Sequence, residues 1–259
     1  MIDVNVTLSR WPFRRLFADD PSVLAGALRK RNVQQAWAGT FDGIFHKDLG
    51  GANARLAYDC RRYGEGLLIP FGSVNPKLPD WQEDLRRCHE VHKMPGIRLH
   101  PNYHSYGLDD PAFAELLRLA TSRKMIVQLA LSMEDERTQT ALMPVPNVDA
   151  APLPSVLRKA PGVRLVVMNA NHLENADLVR ELAAHEGVYF DFSMVERVGG
   201  VGQLARIATL ARVVFGSNYP LYYFESAHLK VREGGFNAVE TGAITEGNAR
   251  GLLASFTAH

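Results

Sequence analysis

The chain has 259 residues, 46% of them hydrophobic and 22% charged, enough apolar material for one self-sufficient core. Twenty-nine Lys and Arg stand against 28 Asp and Glu, and the net charge of +1 argues against a dedicated nucleic-acid or anionic-membrane surface. With only Cys60 and Cys88 a disulfide framework is unnecessary, Met1-Ile-Asp-Val-Asn reads as no signal peptide, and no run reaches the ~18 apolar residues of a membrane helix. The expectation is a cytoplasmic chain with a single core.

Short runs rich in Val, Ile and Phe recur at residues 2–8, 33–40, 67–74, 96–101, 125–131, 164–170, 188–194 and 213–220. Each has the length of a strand, and most are apolar enough to be buried on both faces, as parallel strands are. Helix-like stretches separate them at 21–31, 52–65, 80–92, 111–123, 154–159, 175–185 and 202–210, and a last one covers much of 238–256. Asp20-Pro21 and Asp110-Pro111 pair an N-cap residue with proline at the first helical position. Gly96, Gly162 and Gly187 sit where helices should stop and strands begin. Eight strands alternating with eight helices predict a single (β/α)8 TIM barrel spanning residues 1–259, with a doubly wound sheet as the competitor.

Residues 41–51 and 132–152 are longer connections, and both follow strands, so in a barrel both lie on the catalytic face. Pro144, Pro146, Pro152 and Pro154 predict a stiffened flap over residues 138–154.

The first run alternates Ile2, Val4, Val6 and Leu8 with Asp3, Asn5 and Thr7, which predicts the apolar set toward the helices and the polar set toward the barrel interior. Polar groups gather at the ends of the other runs as well: Arg98 and His100, Asn169, Asn171 and His172, Asp191 and Ser193, Ser217 and Asn218. Such a concentration is either a functional site or a self-satisfied amide network plugging the barrel.

Met1-Ile-Asp-Val-Asn-Val-Thr, Gly96-Ile-Arg-Leu-His-Pro, Phe215-Gly216-Ser217-Asn218-Tyr219-Pro220 and Gly247-Asn248-Ala249-Arg250 resemble the amidohydrolase-related branch of the amidohydrolase superfamily. That resemblance implies a TIM barrel and a hydrolase or non-oxidative carboxy-lyase of small carboxylated substrates. It also implies a divalent metal, held by a His-x-His pair, two further histidines and an aspartate. Here those positions carry Asn5, Thr7, Ala130, Asn169 and Asn218, with Gln128 nearby on the fifth strand and no histidine there. An amide binds zinc poorly and accepts no proton near neutrality, so the resemblance's metal is not carried over. No metal or other cofactor is expected. A relocated zinc or other divalent site through His46, His100 or His172 is the third choice.

A metal-free reaction needs a proton-transfer group and polarising contacts. His100 and His172 are the candidate acid/bases, with Asp191 orienting a base or acting as one. Asn5, Thr7, His46, Gln128, Asn169, Asn171 and Asn218 are candidate substrate contacts. Arg14 or Arg137 would grip a substrate carboxylate, and Trp11, Phe13, Phe41 and Phe45 could wall an aromatic or cyclic body. Ser132-Met-Glu-Asp135 reads as a helix cap rather than an acid cluster. The leading expectation is a metal-independent hydrolase or lyase. The alternative is a catalytically silent barrel that binds a small metabolite or serves as a scaffold. The expected partner is a small molecule, with no nucleic acid or membrane, and a homo-oligomer is open.

Overall fold

The computed structural model describes residues 1–257. The elements run β1 (Ile2–Leu8), α1 (Pro21–Lys30), β2 (Gln35–Thr40), α2 (Asp42–Phe45), α3 (Leu49–Asp59), β3 (Leu68–Ser73), α4 (Trp81–Glu90), β4 (Gly96–Leu99) and α5 (Pro111–Ser122). They continue with β5 (Ile126–Ala130), α6 (Leu153–Arg158), β6 (Arg164–Met168), α7 (Ala176–Ala183), β7 (Val188–Phe190), α8 (Gly200–Ala208), α9 (Phe224–Glu233), α10 (Ala238–Gly242) and α11 (Asn248–Thr257). The seven strands pair in parallel in strict chain order. A doubly wound sheet needs a reversal of that order and is excluded.

The expected eighth strand does not form. Residues 213–220 bridge the two sheet edges instead, pairing Val213 with Phe190 of β7 and Tyr219 with Val6 of β1. Val214 N donates to Phe190 O at 2.9 Å, Val4 N to Phe215 O at 2.9 Å and Thr7 N to Tyr219 O at 3.0 Å. Side chains explain the missing ladder. Ser217 is captured through its main-chain N and its hydroxyl by the Asp3 carboxylate, and Asn218 turns into the left-handed region at φ 54°.

The expected helix starts hold. Asp20 accepts from Ser22 N and Val23 N ahead of Pro21, and Asp110 accepts from Ala112 N ahead of Pro111. Two expectations need correction. Residues 41–51 are not one open loop, because α2 and the start of α3 occupy them, and α9 was not foreseen. In β1 the register shifts between Asp3 and Val6, where two residues oppose Trp37 alone. Val6 and Leu8 accordingly pack with the helix-facing core, whereas Ile2 and Val4 join the cluster of Trp37, Phe71 and Val166.

One irregularity positions a cavity. The β5–β6 connection spends residues 132–152 on a loop and retains only the six-residue α6, so α7 lacks a full-length neighbour over the outside of β6.

Candidate functional site

The polar side chains of the strands meet inside the barrel and bond largely to one another, with Asn5 Oδ1 and Asn218 Oδ1 left buried without a partner. Arg98 of β4 is 1% exposed. Its Nε donates to Gln128 Oε1 at 2.8 Å and its Nη1 to Val6 O and Thr7 Oγ1 at 2.9 and 3.0 Å. Nη2 donates to Trp37 O at 2.9 Å, and Gln128 Nε2 donates to Val4 O at 2.6 Å. The carbonyls that the β1 bulge turns away from the sheet are thereby paired. Burial pulls the Arg98 guanidinium down to about 10, against the attraction of Asp3 and Asp191, so it remains cationic at neutral pH.

A second group lies around Asp191, just past β7. Asn5 Nδ2 donates to Asp191 Oδ2 at 2.7 Å and to Asn169 Oδ1 at 2.6 Å. Asn169 N donates to Asp191 Oδ1 at 3.0 Å, and Ser193 Oγ donates to Asn169 Oδ1 at 3.1 Å. Asn169 Nδ2 donates to Ser132 O at 2.9 Å, and Asn218 Nδ2 to Met133 O at 3.1 Å, so Met133 of the β5 loop caps the interior. Gly216 makes room for the cluster, since a Cβ there would stand 2.6 Å from Asp191 Oδ2.

These contacts test whether a divalent cation fits at Asn5, Thr7, Ala130, Asn169 and Asn218. Both Asn5 N–H groups are directed at the centre, Thr7 is committed to Arg98, and Ala130 has no donor. The residues do not fit such an ion. Among the described residues no group of three or more His, Cys, Asp or Glu side chains is placed to hold one.

The candidate acid/bases are more deeply desolvated than their sequence positions suggest. His100 is 1% exposed, its Nδ1 has no partner, and burial, then His104 and Arg98, hold it well below the ordinary imidazole range. His172 is pulled by burial down to about 4, against a hydrogen bond with the Asp191 main chain, and its Nε2 has no partner. Each imidazole is therefore held in its neutral form at pH 7. Burial also raises Asp191, against donation from Asn5 and Ser193, and lifts Asp3 up to about 7, against the Ser217 hydrogen bond. Asp3 and Ser217 were not selected from sequence, although Asp3 lies on the polar face of β1.

A cavity of about 570 Å³ lies off the barrel axis, over the outer side of β5–β7 where α6 is short. Its floor is Leu131, Val167, Phe190, Val179 and Leu182, with His172 and Asn169 at one wall and Asn171 at the edge. Of the remaining expected contacts, Asn5, Thr7, Gln128 and Asn218 are bound up in the interior. His46 is exposed beside a separate cavity of about 250 Å³ with Phe13, Phe41 and Phe45.

The two arginines expected to grip a carboxylate are paired already. Arg14 binds Glu134, which is only 2% exposed, and Arg137 binds Asp135 and Glu196. The cap at the β5 loop is Asp135, which accepts from Arg137 N at 2.8 Å, and not Ser132, whose hydroxyl donates to Glu134 O. Sequence reading missed Glu174 and Glu196, and set the acids at 134–136 aside in favour of a cap; all of them stand at the cavity rim.

A family model described as amidohydrolase matches residues 7–252. The chain belongs to the amidohydrolase family. Solved structures of similar shape place this family member among TIM-barrel proteins. A TIM-barrel protein from Bordetella bronchiseptica is 13% identical and superposes with a TM-score of 0.75, covering 99% of each chain. The 5-carboxyvanillate decarboxylase from Sphingomonas paucimobilis is 10% identical, with a TM-score of 0.75 and 98% of each chain covered. A dihydroxybenzoic acid decarboxylase from Polaromonas, solved with manganese and 2-nitroresorcinol, is 11% identical, with a TM-score of 0.73 and coverage of 98% of this chain and 96% of that one. No curated protein matches. At these identities the likeness shows the fold of this amidohydrolase-family chain alone. Among its described residues no helix is long and apolar enough to cross a membrane.

Proposed function

We propose that this amidohydrolase-family protein is a metal-independent hydrolase or lyase of a small molecule, with His172 as the reacting group at the wall of the 570 Å³ cavity. The observation that carries the reading is the pairing of Asn5 with both Asn169 and Asp191, which turns amide donors toward the centre that the family resemblance gives to a metal. Among the three candidate acid/bases, only His172 lines the large cavity. Its Nε2 is unpartnered and its imidazole neutral, so it can accept a proton from a bound water or a substrate hydroxyl, as a base weakened by its depressed affinity for protons. The decarboxylases of similar fold act on molecules with one aromatic ring, and a cavity of this size suits that bulk.

A second reading, binding without turnover, is favoured by the filled interior, where Thr7, Arg98, Gln128 and the Asn5 amide nitrogen are all hydrogen-bonded.

Two experiments test the first reading. Elemental mass spectrometry after a manganese or zinc challenge is expected to find metal far below one equivalent per chain; a stoichiometric metal that survives dialysis overturns metal independence. A screen of esters, lactones and carboxylated aromatics in chelator is expected to find turnover that falls at least ~100-fold in His172→Gln. Turnover unchanged in that variant removes His172 from the chemistry. Saturable binding with no turnover of any probe selects the second reading.

A further inference from the structure

The rim of the cavity is acidic and its floor is apolar. Glu134, Asp135, Glu136, Glu174 and Glu196 border it. Arg14 compensates Glu134, and Arg137 is shared between Asp135 and Glu196. Among the described residues, Glu136 and Glu174 are met by amides, Asn147 Nδ2 at 3.1 Å and Asn171 Nδ2 at 2.9 Å. Below them lie the Leu131, Val167 and Phe190 side chains and the apolar face of α7.

An independent feature points to an occupant. His172 lines the same cavity at 6% exposure with its Nε2 unpartnered, an arrangement that leaves a buried polar atom uncompensated until something polar approaches it. A cleft whose borders carry one sign of charge over low-dielectric walls concentrates ions of the opposite sign.

We propose that the cavity between the β5 loop and α7 takes a molecule with an apolar, ring-sized body and a cationic amine. The body sits on Leu131, Val148 and Leu178, the ammonium group lies between Glu136 and Glu174, and a hydroxyl or ring substituent reaches His172. This assignment shares with the functional reading only the location of the site, and it names a ligand class opposite in charge to the carboxylates suggested by Arg14 and Arg137.

The test uses three probes of matched size, 2-phenylethylamine, 2-phenylethanol and 3-phenylpropanoate, followed by calorimetric titration and thermal shift. Saturable amine binding is expected, with the alcohol weaker and the carboxylate unbound, and amine affinity should drop as salt is raised. Glu136→Gln and Glu174→Gln should each weaken the amine about two- to fivefold, the range of a solvent-exposed charge pair, while leaving the alcohol unchanged. Ala170→Leu, which narrows the cavity, should weaken all binding; a circular dichroism spectrum matching the parent verifies that this variant folds. Absence of saturable amine binding, carboxylate binding equal to that of the amine, or amine binding indifferent to both glutamine variants overturns the assignment. Binding is read without turnover, so a protein that holds the amine and transforms nothing keeps this assignment and loses the hydrolase or lyase reading. The reverse outcome is equally distinct.

Discussion

Gly39 of β2 leaves open the space that Arg98 of β4 fills: a Cβ on Gly39 would lie 2.8 Å from Arg98 Nη1. The arginine in turn pairs the Val6 and Trp37 carbonyls at the β1 bulge. Arg98→Met keeps the bulk and removes the donors. The expected result is a loss of roughly 3 kcal/mol or more in urea unfolding, since each buried carbonyl left unpaired costs ~1–3 kcal/mol. A loss below about 1 kcal/mol would mean that the bulge carbonyls find other partners.

Buried acids and buried histidines drive the pH dependence of stability in opposite directions. Asp3 rises from 3.8 unfolded to about 7 folded, so the folded state holds the extra proton and stability falls as pH climbs between those values. His104 and His172 fall from 6.5 to about 4, so the unfolded state holds the extra proton and stability rises with pH across that window. Asp3→Asn removes one falling contribution. Between pH 4.5 and 6.5, unfolding free energies of this variant should climb more steeply than those of the parent, by up to about 1.4 kcal/mol per pH unit. Parallel curves from denaturant titrations would show that Asp3 does not take up a proton on folding.

Arg14 joins the loop after β1 to Glu134 in the loop after β5. Burial raises the Glu134 carboxyl, and the Arg14 hydrogen bond opposes it. Removing the arginine strands a carboxylate that is 2% exposed, so Arg14→Ala should lower stability by about 2–4 kcal/mol. Arg14→Ala with Glu134→Gln should recover part of that loss. A double variant no better than the single one would show that the pair contributes packing rather than charge compensation.

Cys60 and Cys88 are buried, and burial pushes both thiols up to about 12. Neither should react with a disulfide reagent in the native state at pH 8, and both should react at once in denaturant. Rapid native labelling of either would reveal local opening around α3 or α4.

The alternation of Asp3, Asn5 and Thr7 marked the polar residues that meet in the interior, but the bulge that breaks the period of two and sends Ile2 and Val4 to a different cluster from Val6 and Leu8 was not legible. The Asp-Pro pairs at 20–21 and 110–111 likewise marked helix starts through local chemistry. α9 had a legible stripe in Phe224, Ala227 and Val231, but it is narrow and lies among charged residues. The eighth strand was overread because its apolar residues 213–215 look like β1, while Ser217 and Asn218 make side-chain and left-handed turns that no hydrophobic period reports. The position of the cavity was not legible at all. It depends on how short α6 is, and the neutrality of His100 and His172 depends on how completely neighbouring elements cover them.

The joint between β7 and β1 differs in kind from the other joints of the ring. Elsewhere neighbouring strands pair over three or more residues, broken once by the β1 bulge, whereas here residues 213–220 tie the edges through bonds such as Val4 to Phe215, Thr7 to Tyr219 and Val214 to Phe190. A hoop yields at its weakest stave, so the amides of Val4, Thr7 and Val214 form a seam that should exchange with solvent as a unit, ahead of the ladder amides between β1 and β2. The two ends of the chain's sheet thus meet at a clasp rather than a weld.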